Sequence, residues 1–173
     1  MGHIAREVYT INQSLREFHK PARLISVYPQ RQENGDRVII REQLEEPALS
    51  TEVDSLIIRT LPNDESKLRR VYSGNNPSYL HHEAVKFLVE AGVNHLLVDL
   101  PSVDREEDEG KLLAHRAFWR YPEQVRRHAT ITELIYVPDE LPDGLYLLNL
   151  QIASLEIDAS PSKPVLYQLQ RID

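Results

Sequence analysis

GNNPSYLHHEAVKFLVEAGVNHLLVDL, residues 74–100, holds a helix and a strand joined at a glycine, and its reading decides the fold. Leu80, Ala84, Phe87, Leu88 and Ala91 recur at helical spacing on one face. Asn76 or Ser78 offers an N-cap, Pro77 is tolerated in the first turn, and Gly92 is placed to end the helix. VNHLLVDL (93–100) follows at once as a short apolar run, the signature of a buried strand. Upstream, DSLIIRT (54–60) has the same character. The spacing of the three segments predicts a βαβ unit with parallel strands.

Working outward, RLISVYP (23–29) reads as another buried strand, and QENGD (32–36) as a turn leading into the strand RVII. Residues 41–46 suit a short helix before Pro47. Thr60 to Asn76 is a polar excursion, too long for a minimal loop. Beyond the βαβ unit, Leu112 to Tyr121 is helical until Pro122. TITELIYV (130–137) and LYLLNLQIASL (145–155) are strands separated by the turn-rich PDELPDG, and PVLYQLQ (164–170) is the last strand. With no internal repeat or linker, residues 1–173 form a single α/β domain with a mixed sheet.

At 173 residues, 41% hydrophobic and 27% charged, the chain can build a core without disulfides. A net charge of -7 argues against nonspecific binding to nucleic acid or anionic lipid. Zero cysteines exclude thiolate nucleophiles and zinc fingers. No apolar run approaches the roughly 20 residues that span a bilayer, and MGHIAREVY lacks the apolar core of a signal peptide. The expected location is cytoplasmic.

Two residues stand out for their chemistry. His115 lies at the border of the helical arc made by Leu113, Ala114, Ala117, Phe118 and Tyr121, where half-burial is expected. It reads either as a packed histidine bonded to a carbonyl or as a metal ligand. Glu133 breaks the pattern of TITELIYV, because a period of two sets it on the face of Ile131, Ile135 and Val137. A carboxylate there needs a cation, a donor or a metal, or else an exposed edge. In the acidic turn that follows Asp99, Glu106 to Glu109 read as a solvated helix start. Asp99 and Ser102 follow a strand end, where α/β folds place binding crevices. His81 and His82 are adjacent in a first turn, so they form no i, i+4 ligand pair and read as surface or capping residues. No glycine-rich phosphate loop, G-x-S-x-G elbow or H-E-x-x-H helix is present.

In order along the chain, FLVEAGVNHLLVDLPSVDREEDEGKLLAH, ITELIYVPDELPDGLYLLNLQIA and DASPSKPVLYQL resemble the C-terminal two thirds of the cyclase family. These metal-dependent hydrolases include bacterial kynurenine formamidase. The family shows a G-V or G-I pair after a helix, a strand with D-x-P-S-x-D, a helix histidine, a later strand glutamate, a leucine-rich strand and an S-P segment. The resemblance covers roughly residues 54–170.

It implies a swivelling β/β/α fold and hydrolysis of a formamide, amide or lactone by metal-activated water. The implied metal ligands are His115 and Glu133, and the implied ion is zinc or manganese. FWRYPEQVRRHAT lengthens the usual spacing between the two. The family's HxGTHxDxPxH hallmark is matched only at its end, by Gly2 and His3. His3 is then the expected acid/base, three further ligands are missing, and the chain is expected to be N-terminally truncated with impaired activity. The expected partners are a small-molecule substrate and further copies of the chain, with no nucleic acid and no membrane. The rival expectations are a noncatalytic remnant keeping the fold, and a small-molecule module using Asp99 and Ser102.

Overall fold

The structure, a computed structural model, describes residue 4, residues 9–46 and residues 53–169. In chain order its regular elements are α1 (Ile11–Ser14), β1 (His19–Val27), β2 (Gln30–Arg31), β3 (Arg37–Ile39), β4 (Ser55–Thr60), β5 (Tyr79–Leu80), α2 (His82–Glu90), β6 (His95–Val98), α3 (Leu113–Trp119), β7 (Thr130–Thr132), β8 (Gly144–Asn149) and β9 (Val165–Gln168). Six strands form one sheet in the order β7-β6-β4-β1-β8-β9. The pairs from β7 to β1 are parallel, and β8 and β9 add antiparallel pairs. The mixed α/β expectation and the parallel β4-α2-β6 unit both hold.

Alternation explains how the sheet is held. Ile25, Leu56, Ile58, Leu96 and Val98 face α2 and α3 in one apolar cluster. Leu24, Ile57, Leu97, Tyr146 and Leu148 pack on the other face with Leu15, Val137 and Leu150. All six residues of β4 are buried, as a strand covered on both faces requires. Each such aliphatic side chain contributes about 1.5–3 kcal/mol on burial.

Several sequence expectations are corrected. The cap of α2 is His81, whose Nδ1 accepts the Glu83 N–H at 3.3 Å, and neither Asn76 nor Ser78 serves. Tyr79 and Leu80 are instead taken by β5, which pairs parallel to β3 in a small three-stranded sheet. Tertiary pairing has overridden the local helix signal. The short helix expected over residues 41–46 opens as a 3-10 turn, Arg41–Gln43, and residues 45 and 46 are helical. On α3 the buried residues are Ala114, His115, Phe118 and Trp119, while Leu113 is 48% exposed. The helix is rotated to carry His115 inward. Strand β7 ends at Thr132, and Leu134 adopts a φ of 56°. The period of two therefore stops at Glu133: Ile131 packs on the helical side, and Ile135 and Val137 join the opposite cluster.

Candidate functional site

Asp104 lies in the loop that joins β6 to α3, and its carboxylate organises α3. Asp104 accepts the N–H groups of Ala114 at 2.5 Å and His115 at 3.3 Å, supplying a cap that Leu112, with a φ of 49°, does not. Its Oδ2 also lies 2.5 Å from His115 Nδ1. A carboxylate at that nitrogen fixes the proton on Nδ1 and turns the lone pair of the neutral ring to Nε2. Trp119 lies against the imidazole, with ring centroids 5.4 Å apart, and limits its rotation.

Nε2 points at Glu133, whose Oε1 is 3.6 Å away. The same oxygen accepts the Val103 N–H at 3.0 Å, so consecutive residues of one loop hold the glutamate and the histidine. Beyond β7 the chain stays tied to that loop, with the Leu134 N–H donating to the Leu100 carbonyl at 2.9 Å and the Ile135 N–H to the Val98 carbonyl at 3.2 Å. Burial pushes the Glu133 carboxyl above its ordinary range, against the pull of His115 and the Val103 N–H. Two cavities flank Glu133 and Leu134. One, of about 420 Å³, is bordered by Trp119, Leu150 and Ser160; the other, of about 430 Å³, by Ile57, Leu97 and Lys163. Both lie in the size range of small-molecule sites.

The pair suits two positions around a divalent ion. Two ligands bonded at about 2.1 Å to one tetrahedral zinc stand roughly 3.4 Å apart, close to the 3.6 Å seen here. The carboxylate behind the imidazole is the usual support of a metal-bound histidine. Among the described residues, however, no group of three or more His, Cys, Asp or Glu converges to complete a site. The described residues fit two donors of a shell.

The other expected residues fare differently. His3 lies outside the described residues. Asp99 is buried, accepting the Thr60 N–H and hydroxyl at 2.9 Å each and pairing with Lys67 Nζ at 2.7 Å. Ser102 Oγ accepts the Asp104 N–H at 3.1 Å. Asp99 therefore braces the strand end, and Ser102 braces Asp104. Glu106 to Glu109 do not begin α3. Glu106 accepts the Gly74 N–H, and Asp108 closes the turn on the N–H groups of Gly110 and Leu112. Asp104 was hidden in this charge run, although its place as the last residue of D-x-P-S-x-D set it apart.

A family model described as "Putative cyclase" matches residues 1–105. His115 and Glu133 lie beyond the matched residues. No curated protein matches the chain in sequence. Among solved structures, the fold is similar to that of a protein described as a potential metal-dependent hydrolase with cyclase activity, at 13% identity and a TM-score of 0.64, over 89% of this chain and 67% of that one. A predicted metal-dependent hydrolase from Bacillus stearothermophilus is similar at 15% identity and a TM-score of 0.64, over 96% and 71%. An isatin hydrolase bound to the product analogue thioisatinate follows at 14% identity and a TM-score of 0.56, over 85% of this chain and 59% of the other. At these identities the likeness is one of fold.

Proposed function

Since the chain belongs to the cyclase family, we propose that it acts as a metal-dependent hydrolase opening a formamide, amide or lactone carbonyl, with His115 and Glu133 as two of its metal ligands. The observation that carries this reading is the approach of His115 Nε2 to Glu133 Oε1, with Asp104 behind Nδ1. His115 and Glu133 would hold a zinc or manganese ion, which would supply Lewis acidity and activate a water for attack. The chain's own residues do the rest. Asp104 bonds Nδ1, fixes the direction of the imidazole and so turns Nε2 toward Glu133, and Val103 holds the carboxylate against it. The apolar walls at Leu97, Ile57 and Leu150 exclude water from the non-reacting part of the substrate. His3 is assigned the proton transfer, by the resemblance of its sequence context to the end of the family's motif.

Hydrolysis of N-formylkynurenine and of simple lactones, with added Zn²⁺ or Mn²⁺, tests this assignment. Turnover is expected to need metal and to disappear in His115→Ala; robust turnover surviving that substitution overturns it. A second reading, a noncatalytic module that keeps the fold, is favoured by one contact. The Val103 N–H already occupies Glu133 Oε1, so the glutamate also serves to close the loop. Metal analysis of the purified protein separates the readings: the module would hold no stoichiometric ion.

Assembly of copies belongs to the same proposal. Leu145, Val165 and Tyr167 are 41–51% exposed at the β8-β9 end of the sheet, an apolar surface at an edge strand. Sedimentation of wild type beside Tyr167→Lys measures whether that surface joins copies.

A further inference from the structure

The polar excursion after Thr60, too long for a minimal loop, folds through a 3-10 turn at Glu65–Arg69. It lies over the C-terminal ends of the parallel strands β1 and β4, where open α/β sheets place their ligands. There it helps enclose a cavity of about 550 Å³, ample for a small molecule. Neither His115 nor Glu133 borders this cavity.

Its charge is the informative part. Among the described residues, Arg37, Lys67 and Arg70 line it and no carboxylate does, in a chain whose net charge is -7. Lys67 is neutralised by Asp99 at 2.7 Å. Arg70 donates to Ser66 Oγ at 2.9 Å and reaches Asp64 only at 3.9 Å, with both charges substantially exposed. Arg37 has no ion pair or side-chain hydrogen bond among the described residues, and the β2-β3 register sets Arg31, equally unpartnered, directly across from it. Like charges facing each other across a ladder are destabilising unless an anion joins them. Apolar surface accompanies the charge: Tyr28 is 66% and Val71 72% exposed at the cavity, and Arg70 lies over the Tyr72 ring.

We propose that this cavity binds a phosphate monoester carrying a planar ring, with Arg37 and Arg70 on the phosphate and Tyr28 against the ring. Two guanidinium groups match a phosphate, which carries about -1.5 to -2 charges and three acceptor oxygens, better than a carboxylate. A tyrosine exposed beside them offers a stacking face for the ring. The negative charge of the whole chain disfavours a long polyanion and leaves a small ligand as the occupant.

Calorimetric titration of the full chain tests the proposal, with AMP and phenyl phosphate as ring-bearing monoesters, adenosine as the ring alone and inorganic phosphate as the charge alone. Saturable binding of a ring-bearing monoester is expected, with adenosine and inorganic phosphate each about tenfold weaker or more. Arg37→Glu should weaken the monoester by about tenfold or more. Tyr28→Ala should bring its affinity toward that of inorganic phosphate. Both side chains are exposed, so the variants should keep the wild-type thermal unfolding curve, which is recorded beside each titration. Failure of both monoesters to bind, inorganic phosphate binding as tightly as they do, or affinity that survives Arg37→Glu in the folded variant overturns it.

Discussion

Two buried acid–base clusters sit on the segments that leave the same parallel strands, and they are built to opposite ends. At Lys67 and Asp99 both side chains are at most 5% exposed. The ammonium is surrounded by the Asp99 carboxylate, Asn63 Oδ1, and the hydroxyl and carbonyl of Thr60. Four acceptors thus surround the three protons of the lysine, and no proton is left without a partner. At His115 and Glu133 the contact is longer, the glutamate side chain is 30% exposed, and cavities lie on both sides of it. Saturation of polar groups makes the first cluster a brace. The second keeps an imidazole and a carboxylate facing each other at the rim of open space, as the proposed metal site needs.

The largest effect should come from breaking the brace. Lys67→Met strands the Asp99 carboxylate in the interior, at an expected cost of about 3–5 kcal/mol in urea denaturation. A loss under about 1 kcal/mol would erase the contrast with the second cluster. Asp104→Asn should leave the fold standing but release the His115 tautomer, weakening Zn²⁺ affinity about 10–100-fold in competition with a chromogenic chelator. Unchanged affinity would mean that His115 holds no metal.

Asp36 offers a third reference point, because it too is saturated. The Arg105 guanidinium, helped by Asn76, Tyr79 and Asn34, holds its carboxyl down at about 2 from an ordinary 3.8. A depressed carboxyl contributes stability that is present above the unfolded value near 4 and lost as the pH falls toward 2. That amounts to about 2 kcal/mol, and Asp36→Asn should flatten this part of the acid denaturation curve. The smallest effect, with the opposite sign, belongs to Glu133. Its raised carboxyl gives stability that is present below the unfolded value and lost as the pH rises through the folded one. Glu133→Gln should therefore leave the protein equally stable at neutral pH or more stable, by up to about 1 kcal/mol, while removing metal-dependent turnover.

How far these clusters were legible in the sequence follows from which forces built them. The parallel unit from Ser55 to Val98 was readable because apolar runs and helical spacing report burial directly. His115 and Glu133 stood out as polar residues in apolar patterns, and the structure brings their side chains together. The reason given for Glu133 was wrong, since β7 ends at Thr132, and Leu134 takes a left-handed conformation that alternation cannot announce. Asp104 was missed because its partners, Ala114 and His115, lie ten and eleven residues away and the run around it is full of acids that only close turns. Nothing in the sequence sets Lys67 apart within the polar excursion, because its burial depends on the return of β6 to deliver Asp99. Contacts made by pattern were visible; contacts made by chain return were not.

One feature of the sheet bears on how the protein is made. β1 receives its parallel neighbour, β4, soon after it is synthesised, but its other neighbour is β8, which begins at Gly144. At roughly 5–20 residues per second, translation leaves that edge of β1 without its partner for several seconds. During that interval Ala22 and Leu24, fully buried in the finished protein, lie along an open strand edge. The nascent chain is then at its most vulnerable to pairing with a neighbour on the same message, and slow elongation ahead of residue 144 would lengthen the danger.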